Sequence, residues 1–511
     1  MKENRFISTS LMSRRRFFAL TGAAVGSQFL PAFADSADTQ SRTTPPSFTL
    51  FYKPEFTGNI WDTWTYYHKG TFYLYYNPSP SDLKTFGGWN GVALATSSDG
   101  VHWKEYGMVI DPVPDITYLG AGAVWPVGEK FIMNFSEMQR DSNGGIEKQT
   151  IFFAESRDLI HWRRLGSEYA FSPDTRWYES KGRWDNIWPV PRPEGGYYGY
   201  FAGWTKDNKA GIGFGESDDG VTWRALPPPA LPEEVVLPWR EKEINNTSPE
   251  VNSAYFRDGK YYILIGGDYT STPTFPGITA LVSDSASGPF RFPHKNPRPL
   301  VCNASYFLRF VDVGGDVLVN HHSWEVGDTL NPERVWMAPL KKAQWDDEGT
   351  LRLMWWEQNN LAKGETLSVS SGKSSTASQP SLLTTLFNPQ ETLILEGEMP
   401  LPSFNNVAPI GLYLQGSGDI GTAFLVRENG LVDYGSMRMD GGGFEKQGSV
   451  DRDLVFTNSV RFRLVRKGQL TEFYLNDYLM QCYSLPEQGT GHIGLIGPPH
   501  DFSKLKAWYC A

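Results

Sequence analysis

Short runs of bulky or alternating apolar residues, punctuated by Gly, Asn, Asp and Pro, fill this chain and predict strands rather than helices. The clearest is NIWDTWTYYHKGTFYLYY, residues 59–76, which reads as two strands joined by a tight Lys69-Gly70 turn. From residue 50 to about 356 two signals alternate. The first is a turn followed by a bulky pair: Phe72-Tyr73, Phe131-Ile132, Tyr197-Tyr198, Tyr261-Tyr262 and Val317-Leu318. Their first members are 59, 66, 64 and 56 residues apart. The second signal follows the first three pairs: SDGVHW at 98–103, RDLIHW at 157–162 and DDGVTW at 218–223. A degenerate fourth copy spans Asp284 to Phe290, and a fifth unit ends in a turn at Asp346 to Gly349. Strand chemistry repeated at this period predicts radial repetition of small antiparallel sheets. The fold class expected is therefore all-β, with a five-bladed β-propeller over residues 50–356. The Asp residues of the second signal are read as outer hairpin turns, with no chemical role.

Residues 357–383 turn rich in Ser, Thr, Gly and Gln and read as a linker or exposed loop. Beyond them ETLILEGEMPL, PIGLYLQG, TAFLVREN, VRFRLVRKG, LTEFYLND and HIGLIG are longer alternating strands without the sixty-residue repeat. They predict a β-sandwich over residues 384–511.

The N-terminus departs from both patterns. Arg14-Arg15-Arg16 precedes an apolar, small-residue run from Ala19 to Phe33 that ends in an Ala32-Phe33-Ala34 cleavage signal. Residues 1–34 resemble a twin-arginine signal peptide, which implies a periplasmic or extracellular protein with no membrane association after cleavage. Formal net charge is −10, although residues 1–34 carry five Lys/Arg against one Glu. Nucleic acid and anionic membranes are poor partners for such a chain, and a neutral substrate suits it better. Only three cysteines exist, so at least one thiol is unpaired within the chain. Cys482 and Cys510 could bridge, but nothing in the pattern requires it. Oligomeric state is not legible.

Aligning the units on their bulky pairs brings three acids into phase. Asp62 lies 10 residues before Phe72, Asp185 12 before Tyr197, and Glu250 11 before Tyr261. The matching places in units two and five, near Gly120 and Tyr306, carry no acid. Equivalent positions on different blades face one another across the central funnel, so three carboxylates should meet there. Like charges brought together raise one another's pKa and call for a purpose. Two carboxyl groups flanking a bond are the equipment of glycoside hydrolysis, and a third can hold substrate hydroxyls. The acids lack the close-set ligands of a D-x-D-x-D loop, so no metal and no cofactor is expected at them. Trp61, Trp64, Trp89, Trp125, Trp184 and Trp188 are candidates to stack on a sugar, and each has a core position as its alternative.

At these residues the chain resembles the five-bladed propeller glycosidases, and most of all glycoside hydrolase family 32. Asp62 with its Tyr-rich strands and Tyr76-Asn77-Pro78 is similar to that family's first motif. GWNGVALATSSDGVHW (88–103) and GAGAVW (120–125) resemble its next blocks. Arg183-Trp184-Asp185 resembles its Arg-Asp-Pro motif, and Pro249-Glu250-Val251 occupies the place of Glu-Cys-Pro. The resemblance implies Asp62 as nucleophile, Glu250 as acid/base and Asp185 as transition-state stabiliser. It also implies an oligo- or polysaccharide substrate bound by Trp61, Trp64, Asn77, Trp89, Asn90, Trp125, Arg183 and Trp188. Three departures stand out. Ile60-Trp61-Asp62-Thr63-Trp64 replaces Asn-Asp-Pro-Asn-Gly, Trp184 splits the Arg-Asp pair, and no Cys follows Glu250. The related family 43 shares the propeller but inverts configuration. There a fifth-blade His, here His321 or His322, can sit near an axial Ca²⁺, the alternative being a hairpin histidine. A carbohydrate-binding protein on the same scaffold is the reading from another class.

Overall fold

Each of the five bulky pairs falls at the start of the second strand, counted from the axis, of an antiparallel blade. That register follows from the turn before it. In Lys69-Gly70 both residues have positive φ (46° and 84°), as do Asp258 and Gly259 (50° and 79°), the two-residue hairpin geometry that suits the twist of the flanking strands. The computed structural model describes residues 47–48, 50–79, 88–114, 116–142, 146–206, 211–232, 250–266, 277–327, 331–372, 379–402 and 409–510. The expected signal segment, 1–34, lies outside the described residues. Among the described residues no helix is long and apolar enough to cross a membrane.

The inner strands of the five blades are Asn59–His68, the short pair Tyr118–Leu119 and Val124–Val127, then Trp184–Pro191, Glu250–Arg257 and Ser305–Asp312. The ring is closed by Tyr52, before blade one, which exchanges two backbone hydrogen bonds of 2.9 Å with Met337 of blade five. At the rim, Asp99 Oδ1 accepts from the amides of Val101 (2.9 Å) and His102 (2.8 Å). Asp158 and Asp219 do the same in blades two and three. These aspartates are turn-formers, and Trp103 and Trp223 beside them are buried between blades.

One irregularity recurs near the funnel end of the inner strands. Register shifts fall between Trp61 and Trp64, Asp185 and Trp188, Val251 and Ser253, and Tyr306 and Arg309. In blade two the inner strand is interrupted at the same level, between Leu119 and Val124. Asp62, Asn186 and Phe307 take left-handed φ there (44°, 58° and 50°). That conformation costs a non-glycine residue about 1–2 kcal/mol, so tertiary contacts must hold it. Buried asparagines do so, each bonding the displaced backbone of the next blade. Asn134 Nδ2 donates to Ile187 O (2.7 Å) and Asn186 Nδ2 to Val251 O (2.7 Å). Asn252 Oδ1 accepts from Leu308 N (3.2 Å), and Asn320 Nδ2 donates to Thr63 O (3.1 Å).

The last strand of blade five, Leu351–Trp355, meets Tyr478–Ser484 at Met354, so its sheet runs on into the sandwich as one eleven-stranded sheet. A six-stranded sheet covers it, and Phe424 and Phe473 stack between the two at 5.4 Å. The expected linker is not one in its described part. Glu357–Ala362 is a 3-10 helix, Lys363–Leu367 pairs with Ser503–Cys510, and Ser381–Leu382 pairs with Ile493–Ile496. The cysteines are all free. Cys482 and Cys510 lie on strands with three others between them, roughly 19 Å at the usual strand spacing, too far to bridge.

Candidate active site

The displaced inner strands bring the three acids together: Asp185 and Glu250 share one hydrogen-bonded group, and Asp62 lies close enough to feel both charges. Asp62 sits in the blade-one irregularity, and Asp185 and Glu250 stand immediately before those of blades three and four. Arg183, two residues before Asp185, extends one nitrogen to both: Nη2 donates to Asp185 Oδ2 (2.8 Å) and to Glu250 Oε1. Those two carboxylates are therefore no further apart than two hydrogen bonds. Ser136 Oγ of blade two donates to Asp185 Oδ1 (2.5 Å) and accepts from Gln149 Nε2 (2.9 Å). Tyr306 donates to Glu250 Oε2 (2.6 Å). Tyr118 donates to Asp62 Oδ2, while Asp62 Oδ1 has no partner among the described residues. Gly120 is required at its place, because a Cβ there would come within 2.4 Å of Ser136 Oγ and 2.6 Å of Asp185 Oδ1.

Burial sets the charges. Asp62 is 1% exposed, and burial pushes its carboxyl up to about 8, with the negative charges of Glu250 and Asp185 adding to the rise and Tyr118 and Arg309 opposing it. Burial also raises Asp185, against the pull of Arg183. Arg183 is half-buried, and although desolvation would lower it, the Glu250 and Asp185 carboxylates hold it above its ordinary value, so it stays charged. Burial keeps Tyr118 and Tyr306 protonated and able to donate. Glu250 is the most accessible of the three acids, its side chain 22% exposed. The cluster thus offers one carboxyl oxygen with no donor on it and a second, reachable carboxyl group, the inventory needed to displace and protonate a glycosidic oxygen.

The aromatic expectations divide. Trp61 packs with its ring 4.4 Å from His322 and 5.7 Å from Trp324, beside Asp62. Trp188, half-buried, lies 5.5 Å from the Arg309 guanidinium. The others belong to the core or to backbone clasps. Trp64 is buried and stacks on Tyr75 at 5.9 Å, and Trp89 is buried against Trp61. Trp125 donates to Gly220 O (2.9 Å) and packs on Trp223. Trp184 is buried and donates to Phe171 O (2.9 Å). Asn77 donates to Gly91 O (2.9 Å), and Asn90 bonds the backbone of Val113 in both directions. Alternation along a strand turns half its tryptophans inward, and no local signal tells which half.

Tyr118, Ser136, Tyr306 and Arg309 are site residues for which the sequence analysis holds no expectation. Tyr306 had a signal, since it occupies in blade five the phase the acids occupy elsewhere. The two histidines separate. His322 is buried beside Trp61, burial lowers it to about 3, and neither ring nitrogen has a partner among the described residues. His321 instead faces the sandwich, where His321, Glu472 and Cys482 bring ligand-type atoms within 4.8 Å of one another. Lys341 Nζ already lies 2.7 Å from Glu472 Oε1, so a cation occupies that carboxylate.

Architecture and hub together define a class, the five-bladed propeller with an appended sandwich. Solved structures of that fold similar to this chain include the GH32 β-fructofuranosidase BmSUC1 of Bombyx mori, with TM-score 0.64 and 15% identity over 90% of this chain and 93% of that one. Sucrose-6-phosphate hydrolase from Lactobacillus gasseri gives 0.65 and 14%, over 89% and 91%. Fructan 1-exohydrolase IIa from Cichorium intybus gives 0.60 and 13%, over 90% and 96%. At such identities the likeness is one of fold. No family model matches the chain. One curated relative, the extracellular exo-α-(1→5)-L-arabinofuranosidase ArbA of Cellvibrio japonicus, is 36% identical over 73 residues. That stretch covers 14% of this chain and only 21% of the relative.

Proposed function

We propose that the protein is a glycoside hydrolase that cleaves a furanoside, fructan-like bond by a retaining mechanism in the propeller funnel. The observation that carries this reading is the convergence of Asp62, Asp185 and Glu250, from three blades, around Arg183, Tyr118 and Tyr306. Asp62 Oδ1, with no donor on it, attacks the anomeric carbon while Tyr118 holds Oδ2. Glu250, the accessible acid, protonates the leaving oxygen and then activates water. Asp185, fixed by Ser136 and Arg183, holds ring hydroxyls as the oxocarbenium-like charge develops. The substrate is a neutral oligo- or polysaccharide, and the fold shared with a β-fructofuranosidase and a fructan 1-exohydrolase supports a fructofuranoside.

An inverting arabinofuranosidase is the second reading, favoured by the local identity to ArbA. A panel of aryl furanosides and natural fructans, with the product anomer followed by NMR, separates the two: retention is expected, and inversion would transfer the chain to the second reading. Binding without turnover across the panel would leave a carbohydrate-binding protein. Export through the twin-arginine route completes the proposal, and Arg14→Lys with Arg15→Lys should retain the protein in the cytoplasm.

A further inference from the structure

The hub contains a second guanidinium that the proposed chemistry does not use. Arg309 rises from the inner strand of blade five just after its irregularity and is completely buried. Its Nη1 crosses the axis to donate to Gly122 O of blade two (2.7 Å) and to Asn186 Oδ1 of blade three (3.1 Å). The rings of Phe307 (4.5 Å) and Trp188 (5.5 Å) flank the guanidinium, and Nε and Nη2 have no partner among the described residues. A buried cation held by neutral acceptors is costly unless nearby negative charge compensates it. That charge comes, when they are ionised, from Asp62 first, then Asp185 and Glu250. One tether reaches the backbone that carries an acid, because Asn186 follows Asp185; the other reaches blade two, where Gly122 lies two residues beyond Gly120, which abuts the Asp185 carboxyl.

We propose that Arg309 is a positioning residue for the acid cluster, a built-in counter-cation that ties blades two, three and five across the axis and keeps Asp62 available as a carboxylate. This rests on the glycosidase reading for its kinetic consequence but not for its electrostatic one. The groups facing Asp62 are Tyr118 of blade two, Asp185 and Arg183 of blade three, Glu250 of blade four, and Tyr306, Arg309 and His322 of blade five. His322 is neutral and the tyrosines are protonated, so only the two guanidiniums offset the three acids. With both in place the ionised cluster carries one excess negative charge, and without Arg309 it would carry two. Burial lowers Arg309 only to about 10, so it remains a cation at neutral pH.

The test is Arg309→Met beside Arg309→Lys, each with and without Asp62→Asn, melted at pH 5 and pH 9. Expected is a loss of melting temperature in Arg309→Met that grows from pH 5 to pH 9, shrinks in the Asp62→Asn background, and is mostly restored by Arg309→Lys. This readout needs no turnover. With an aryl furanoside as probe, the acid limb of kcat/KM should move up about one pH unit in Arg309→Met, a roughly tenfold loss at neutral pH, and stay in place in Arg309→Lys. Should Arg309→Met not fold, Arg309→Gln, which can still donate to Gly122, carries the same comparison. A pH-independent loss, or Arg309→Lys behaving as Arg309→Met, would overturn the proposal. Absence of turnover on every furanoside with the melting cycle intact would instead remove the glycosidase reading and leave this one standing.

Discussion

Asp62 at the hub and Asp99 at the rim belong to the same blade, yet their carboxyl groups are held in opposite ways. At Asp99 partial burial would raise the pKa, but His102, two backbone amides and Ser97 outweigh it and bring the carboxyl down to about 2. At Asp62 a single donor faces full burial and two other acids, and the carboxyl rises to about 8. Asp158 and Asp219 repeat the rim pattern, and Asp185 repeats the hub pattern. The difference lies in where the donors come from. The rim acids draw theirs from within three residues, so the turn carries its own solvation. At the hub Asp62 depends on one side chain from another blade, and Asp185 on Ser136 of another blade and Arg183 of its own, too few donors to outweigh full burial. A site for proton transfer needs that shortage, whereas a turn needs its absence.

The largest test of this contrast removes a hub carboxyl. Asp62→Asn should reduce kcat on an aryl furanoside by about a thousandfold or more with the fold retained, as expected of a nucleophile. Wild-type activity in that variant would end the contrast. The pH profile follows from the same group. Since Asp62 is protonated below about 8, the attacking form is lost as pH falls through that value. The kcat/KM of the free enzyme should climb about tenfold per pH unit toward pH 8, where an ordinary carboxylate would give a limb near pH 4.

Tyr118→Phe removes the one side-chain donor from Asp62 and should lower kcat/KM roughly 10–100-fold, the worth of one bond to a charged group, with KM little changed. Asp99→Ala should leave kcat/KM untouched and cost about 1 kcal/mol of stability, measured by urea unfolding at pH 7. Because the folded-state pKa of Asp99 is depressed, that cost is present above about pH 4 and should vanish as pH falls through about 2. The smallest effect belongs to Trp125→Phe, which loses a bond to Gly220 O between blades two and three. It should soften the melt slightly and leave KM as it was. A large rise in KM would return Trp125 to the substrate.

Much of this was legible from residues alone, and the reason is periodicity. Turn chemistry and alternation are local, so the repeat located the blades, the rim turns and the phase of Asp62, Asp185 and Glu250 within them. Tertiary structure decided what is not local. It chose which tryptophans face the funnel, placed Trp64, Trp89 and Trp125 in the core, and drew residues 363–367 into the sandwich sheet. Tyr118, Ser136 and Tyr306 reach the acids from other blades, 49 to 56 residues away, and Arg309 bonds Gly122 O across 187 residues. Burial and the company a carboxyl keeps depend on closing the ring, and no window of sequence contains that closure.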